Sequence, residues 1–504
     1  MIEFISDYIY FVYFIIIIIL FYKLGTIKYN LHLKLGHRGP QPWPFIGNFP
    51  QILRYGFYEI DIINRQKYGN IYPFYFGNIA TSVIFDEELL KLILIKEAKC
   101  FTDRLDIGFN GKISKNMAIV LKGKNWESVR NLISPTFTSG KLRKMSPLII
   151  DCISLLEERI NSHPLEEPVD VKELFGAFSI DVIARTMFGI RIDSQTNQNN
   201  PFIVHAKNLF KFSIRTPMLL LFLFFPDTMR CIRKFIPNYE IMGRETLEYF
   251  VKQLDMAIDE RQNSLEEYND FLTEIMKVKQ EQTDKSYGNS ICLTRAEIIA
   301  QLLMFLMAGY ETTASSLSYV AYFLAMNTEA QQEIYEEILK ADYNNEITYE
   351  SITNLPLLDA AINESLRLCP TVPRIDRVCT KDTVLLTSKN QKIYAKEGDV
   401  FKIPVYAIHM DPNIWPNPHA FDIHRFDNEN KKNRSYLSFM GFGMGPRNCV
   451  GMRFALYEMK MALVSILKRW ELRSCIQTPQ TIKIKKSSLS GLEKPILLKI
   501  HERK

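Results

Sequence analysis

The sequence predicts a mainly α-helical protein with a minor β part, carried on an N-terminal membrane anchor. Three observations predict it. From about Asp86 to Leu368 apolar residues recur with a helical period, and Gly and Pro are scarce inside the periodic segments. Short strand-like runs bounded by turn residues occur before that region and again beyond Pro370. An uncharged apolar run opens the chain. With 504 residues, 47% hydrophobic and 23% charged, the chain can bury a large core, and disorder or a collagen-like repeat is excluded. Length alone suggests roughly three domains. A net charge of +6, from 62 basic and 56 acidic residues, is too small a bias to indicate a nucleic-acid partner.

Taken in chain order, Tyr8 to Tyr22 are fifteen uncharged residues, and a snorkelling Lys23 extends the span to twenty, ending at Ile27. Glu3 and Asp7 precede this run, while Lys23, Lys28, Lys34 and Arg38 follow it. That order does not suit a cleaved signal peptide and places the bulk of the chain in the cytosol. Gly39-Pro40-Gln41-Pro42-Trp43-Pro44 has fixed φ at three positions and cannot be helical, so it reads as a stiff strap. The division expected is an anchor over 1–27, a basic and proline-rich linker over 28–50 and a catalytic body over 51–504. Gly69 to Phe76 and Thr81 to Phe85 read as strands. Pro217 to Pro226 is apolar but too short to span a bilayer; it is either a buried helix or an element dipping into the membrane surface.

Thr294-Arg295-Ala296-Glu297 is a capping box that opens a helix running to about Asn327, and Thr328-Glu329-Ala330-Gln331 reads as a second box. At 1.5 Å per residue the first helix is about 50 Å long. It is apolar nearly all round from Ile298 to Met307 and should cross the middle of the protein. One more helix is expected from Phe454 to Trp470. The eight cysteines are widely spread without a C-x-x-C pair, and H-E-x-x-H is absent. A disulfide scaffold and the common helix-borne zinc site are therefore disfavoured, and a reducing compartment is suited.

The chemistry concentrates in Phe442-Gly443-Met444-Gly445-Pro446-Arg447-Asn448-Cys449-Val450-Gly451, directly before that last helix. Three Gly and one Pro fix a tight loop whose amides can point at a sulfur, and a thiolate near a helix N-terminus is favoured by the dipole. The alternative is a Gly-rich turn with a structural cysteine. The pattern F-x-x-G-x-R-x-C-x-G is complete here and resembles the haem-binding loop of the cytochrome P-450 family, the general example of haem ligated by a cysteine thiolate.

Other stretches extend the resemblance. Glu364-Ser365-Leu366-Arg367 matches the family's E-x-x-R, which alone would read as a surface ion pair. The resemblance implies that Glu364 and Arg367 are buried and joined by Arg425 in a structural triad. Arg425 lies in Phe421-Asp422-Ile423-His424-Arg425-Phe426, where Ile423 and His424 replace the family's Pro and Glu. Ala308-Gly309-Tyr310-Glu311-Thr312-Thr313 places weak helix formers mid-helix. It reads either as a Gly packing site with back-bonded threonines or as the family's oxygen-activation site. In the latter, a local widening near Gly309 accommodates oxygen, Thr312 hydrogen-bonds it and Glu311 relays protons. Trp126 and Arg130 resemble W-x-x-x-R, and with Arg104, Arg377 and Arg447 they are implied to clamp the haem propionates, while Ala308 and Phe442 lie against the haem.

Three stretches, 134–142, 308–313 and 446–455, resemble the microsomal branch that includes the mammalian family-3 drug and steroid oxidases. The branch's aromatic cluster shrinks here to Phe109 within 105–109, and Met307, Val372 and Pro373 stand where side chains over the haem are expected. The resemblance implies a P-450 fold, with a long central helix over haem b and small antiparallel sheets. It implies a monooxygenase of the endoplasmic reticulum that hydroxylates steroids, fatty acids or xenobiotics with O2. Electrons would come from NADPH through a separate NADPH-cytochrome reductase, since no nucleotide-binding loop is found. The implied partners are that reductase, cytochrome b5, the bilayer and a small lipophilic substrate, and Lys122, Lys124, Arg130, Lys141, Arg143 and Lys144 form a candidate basic docking surface. The alternatives are a haem-thiolate isomerase or dehydratase of peroxides and a haem-binding sensor. Intact Glu311-Thr312 weighs against both.

Overall fold

The structure, a computed structural model, describes residues 2–106, 108–164, 167–197, 200–209, 217–235, 242–264, 268–284, 293–341, 348–486 and 491–503. Ile107 and Cys292 lie outside them. Helix α1 (Ile2–Thr26) contains the stretch Tyr8–Thr26, 19 residues long and apolar enough to cross a membrane, and the rest of the protein leaves it almost uncovered. Its C-terminal end is fastened to the body. The Phe45 amide donates to the Gly25 carbonyl at 3.0 Å, the Phe21 and Phe45 rings sit 4.6 Å apart, and Lys28 pairs with Asp227. Residues 28–50 likewise pack onto the body, with Tyr29, Leu31 and Leu35 buried. Helix α2 (Phe49–Tyr68) leads into β1 (Ile71–Phe76) and β2 (Ile79–Ile84), an antiparallel hairpin registered from Ile71↔Ile84 to Phe76↔Ile79.

The helical body follows as α3 (Gly123–Ile133), α4 (Ser139–Ser162), the short strand β3 (Val169–Asp170), α5 (Val171–Ile183), α6 (Pro217–Phe224), α7 (Pro226–Phe235) and α8 (Arg295–Met326). The Thr294 box forms as expected: its hydroxyl accepts from the Glu297 amide, and Glu297 accepts from the Thr294 amide at 2.7 Å. The second box does not form. Gln331, on α9 (Thr328–Ala341), turns its amide to the chain behind it, donating to the Leu324 and Leu472 carbonyls and accepting from the Leu472 amide at 2.9 Å. The apolar run on α6 divides its faces. Leu219, Phe222 and Leu223 are buried, with Leu223 accepting from the Asn78 amide, while Leu221 and the following Phe225 are exposed.

Beyond α10 (Pro356–Leu368) come β4 (Ile375–Val378), the hairpin β5 (Thr383–Leu386) and β6 (Lys392–Ala395), and β7 (Val400–Ile403). The larger sheet has the order β1-β2-β7-β4, with β2 and β7 parallel and the other neighbours antiparallel. Helix α11 (Met452–Arg469) precedes β8 (Trp470–Ser474) and β9 (Leu497–Glu502), which pair in the order β3-β9-β8. Helix α8 is the axis of the main apolar core, where it meets α5, α10 and α11. Gly309 lets α8 approach α5 closely: a Cβ there would stand 2.4 Å from Ile183 Cδ1.

Candidate active site

The Cys449 loop is built by backbone geometry. Gly443 and Gly445 adopt positive φ of 73° and 76°, and a Cβ at Gly445 would lie 1.9 Å from the Leu94 carbonyl oxygen. Only glycine fits such an approach. The Asn448 amide then donates to the Gly445 carbonyl at 3.0 Å and the Cys449 amide to the Phe442 carbonyl at 2.9 Å. Cys449 stands two residues before Gly451, the N-cap of α11. Cys449 is exposed and lines an apolar cavity. Burial raises its pKa, while a hydrogen bond from the Gly451 amide and the charges of Arg130 and Arg104 pull it back down.

Helix α8 forms the opposite wall with Met304, Phe305, Ala308, Gly309, Thr312 and Thr313. The Thr312 hydroxyl bonds back to the Ala308 carbonyl at 2.5 Å. The helix is continuous through this stretch, so the implied widening near Gly309 is not seen; close packing on Ile183 accounts for the glycine. Glu311 does not line the cavity. It pairs with Lys172 of α5 at 2.9 Å, beside Ser315, and so faces the α5 side of the helix.

Four arginines gather at one edge. Arg104 and Arg377 are brought together by the bridge Asp103↔Val378 and by the Asp376 carboxylate, which accepts from the Leu105 amide at 2.6 Å. Arg447 donates to the carbonyls of Thr102, Ala118 and Leu121 and stacks 4.0 Å from the Trp126 ring. Arg130 donates to the Asn448 side chain at 2.9 Å. Desolvation and mutual repulsion push Arg447 down to about 9 and Arg377 down to about 10. Arg104, Trp126, Arg130 and Arg447 line the cavity, and Arg377 is packed behind it, donating to the Asp376 and Met444 carbonyls.

This arrangement fits the haem implied by the cysteine loop. None of the four guanidinium groups forms an ion pair among the described residues, which suits an acid-bearing ring, and the buried Nε of Arg104 has no hydrogen-bond partner. The walls are otherwise apolar, and the thiol opens onto them opposite a hydroxyl.

Farther out, Glu364 and Arg367 are fully buried and doubly bonded at 2.7 and 2.8 Å. Arg425 Nε stands 3.3 Å from Glu364. Ile423 is buried and His424 turns outward to Glu333 and Asp427, within a 3₁₀ turn that Asp422 caps. Met307, Val372 and Pro373 do not line the cavity: Val372 is exposed and Pro373 is buried, accepting from the Tyr406 amide. Phe442 and Phe109 are packed on the core and contribute no wall either. Ile119, Ile183, Met187, Met304 and Phe305 occupy that role. Met304 was legible in principle, since 304, 308 and 312 share a helix face at i, i+4 spacing. Ile183 and Met187 arrive by packing and carry no local signal.

The cytochrome P450 family model matches residues 38–500. Cytochrome P450 3A9 of Rattus norvegicus is 36% identical over 495 residues, covering 97% of this chain and 96% of that protein. Cytochrome P450 3A6 of Oryctolagus cuniculus is 36% identical over 490 residues, covering 96% and 95%. Cytochrome P450 3A29 of Sus scrofa is 35% identical over 489 residues, covering 96% and 94%. With matches over nearly the whole of both chains and a thiol opening onto an arginine-edged apolar cavity, the protein belongs to the cytochrome P450 family, on its microsomal family-3 side.

Proposed function

We propose that this P450 monooxygenase inserts one atom of O2 into a lipophilic substrate of the steroid, fatty-acid or xenobiotic kind. When bound, the family's haem b supplies the oxygen-activating chemistry, using O2 and NADPH-derived electrons, with Cys449 as the iron ligand. Arg104, Trp126, Arg130 and Arg447 would hold its carboxylates, Arg377 would support that edge from behind, and Ala308 would bound the ring, with Phe442 backing the cysteine loop from the core. The observation that carries the reading is that Cys449 and Thr312 line the same apolar cavity. Apolar walls exclude water and bind a lipophile by desolvation alone. Thr312 holds a hydroxyl at the reacting face, and its own proton is committed to the Ala308 carbonyl. Glu311 can pass protons toward that face only after exchanging Lys172 for another partner.

In this reading 1–27 is the anchor in the endoplasmic reticulum, 28–50 the linker and 51–504 the haem-binding domain on the cytosolic side. Electrons come from an NADPH-dependent reductase, with cytochrome b5 as a second donor. The basic docking surface is smaller than the sequence suggests. Arg130 faces the cavity, Lys141 and Arg143 pair with Glu274 and Glu350, and Lys122 stands 3.9 Å from Asp106. Lys124 and Lys144 are exposed with no ion pair among the described residues and form its centre.

The test is the reduced, carbon-monoxide-bound absorption spectrum of membranes carrying the protein or Cys449→Ala. A strongly red-shifted Soret band lost in the variant is expected, and its absence from haem-loaded wild type would overturn the reading. Product formation that requires O2, NADPH and reductase separates a monooxygenase from a peroxide isomerase or a sensor.

A further inference from the structure

Among the four arginines at the cavity edge, three are held by main chain. Arg104 donates to the Arg447 carbonyl, Arg377 to those of Asp376 and Met444, and Arg447 to those of Thr102, Ala118 and Leu121. Main-chain carbonyls are set by the fold, so the aim of these three side chains is independent of side-chain identity elsewhere. Arg130 differs. Its Nη2 donates to Oδ1 of Asn448 at 2.9 Å, a side chain 318 positions away and directly before Cys449. Asn448 is itself fixed, because its amide donates to the Gly445 carbonyl at 3.0 Å, and both Asn448 and Arg130 line the cavity. A guanidinium has five N–H donors in a rigid plane, so holding one end orients the others.

We propose that Asn448 is a positioning residue: its side-chain oxygen holds Arg130 so that the remaining guanidinium donors point into the cavity beside Cys449, toward an anionic group of the bound cofactor. The inference rests on the haem-thiolate reading above. Helix α3 delivers Arg130 and the cysteine loop delivers Asn448, so the bond also links the wall that carries positive charge to the loop that carries the sulfur. A fixed cation beside the thiolate favours the more negative, reduced state of the site and so raises its reduction potential.

The test uses the full-length, haem-loaded protein in phospholipid nanodiscs, with two readouts: haem transfer to excess apomyoglobin and the reduction potential. Asn448→Ala should release haem roughly tenfold faster, the loss of one charge-assisted hydrogen bond, and lower the potential. Asn448→Asp keeps the acceptor and adds a negative charge; it should retain haem like wild type while the potential falls. In Arg130→Gln protein, adding Asn448→Ala should produce no further acceleration. Equal acceleration with and without Arg130, or fast haem loss from Asn448→Asp, would overturn the proposal. Should Asn448→Ala fail to fold, the Asn448→Asp comparison decides alone. A wild-type protein lacking the red-shifted carbon-monoxide band would instead sink the underlying reading, so the two failures are distinguishable.

Discussion

Thr312 and Glu311 are neighbours in sequence and serve different surroundings. One helical step of about 100° turns Thr312 to the cavity and Glu311 to Lys172. Thr312→Ala removes the hydroxyl from the reacting face and leaves haem contacts intact. Product per NADPH consumed should fall roughly 10-fold or more, with peroxide appearing instead, while the carbon-monoxide spectrum is unchanged. Glu458 on α11 makes a different case. It is fully buried, neither carboxyl oxygen makes a well-formed hydrogen bond, and Ser179 is the polar group beside it. Burial raises its pKa well above the ordinary carboxylate value. The folded state thus holds a proton that the unfolded chain releases above about pH 4.5, so this residue's contribution weakens as pH rises. Glu458→Gln should raise the thermal midpoint at pH 8 more than at pH 5, measured by calorimetry; an equal shift at both would contradict the assignment. His409 carries the opposite sign. Burial and the Arg367 charge lower it to about 3, so its contribution is full above about pH 6.5 and declines as pH falls toward 3.

At the scale of elements, legibility followed the range of the forces involved. The start of α8 was readable because Thr294 and Glu297 satisfy each other within one turn. Thr328 and Gln331 have the same spacing with Gln in place of Glu, yet Gln331 bonds Leu472, a partner 141 residues away that no local pattern reveals. The pair Glu364 and Arg367 was readable by spacing, but their complete burial was not. Gly309 shows the same limit: local propensity marks an anomaly, while its cause, Ile183 on α5, is tertiary. That contact makes a prediction. Gly309→Ala gains about 1 kcal/mol of helix propensity, and the displaced atom is the flexible end of Ile183, so net stability should change by less than about 1 kcal/mol. Ile183 also lines the cavity, and its displacement narrows it. Affinity for 1-phenylimidazole, followed by its optical shift, should therefore fall, and adding Ile183→Val should restore it. A large loss of stability with unchanged affinity would show that the glycine serves the packing of α8 on α5 and not the shape of the cavity.

Across the whole molecule, the apolar helix α1 and the rest of the chain are joined by more than a tether. Phe45 links them, lying 4.6 Å from Phe21 on α1 and 6.1 Å from Phe225 at the end of α6, and Lys28 pairs with Asp227 on α7. These contacts bring α6 and α7 beside the C-terminal end of α1. Trp43, Leu221 and Phe225 are exposed near this junction, and Phe235, at the other end of α7, is 84% exposed. Apolar side chains collected beside a membrane span are suited to the interfacial layer of the same membrane. The apolar stretch of α1 was legible in the sequence by its composition and the short α6 run by its prolines, but not that both meet on Phe45, because that meeting joins residues about 200 positions apart. If the junction faces lipid, a chain lacking residues 1–24 should still sediment with phosphatidylcholine vesicles at high salt, since apolar contact is not screened. Replacing Leu221, Phe225 and Phe235 together with serine in that truncated chain should release it into the supernatant with its carbon-monoxide spectrum intact. Vesicle binding that survives the triple change would place the second contact elsewhere on the body, and a truncated chain that never binds would assign membrane attachment to α1 alone.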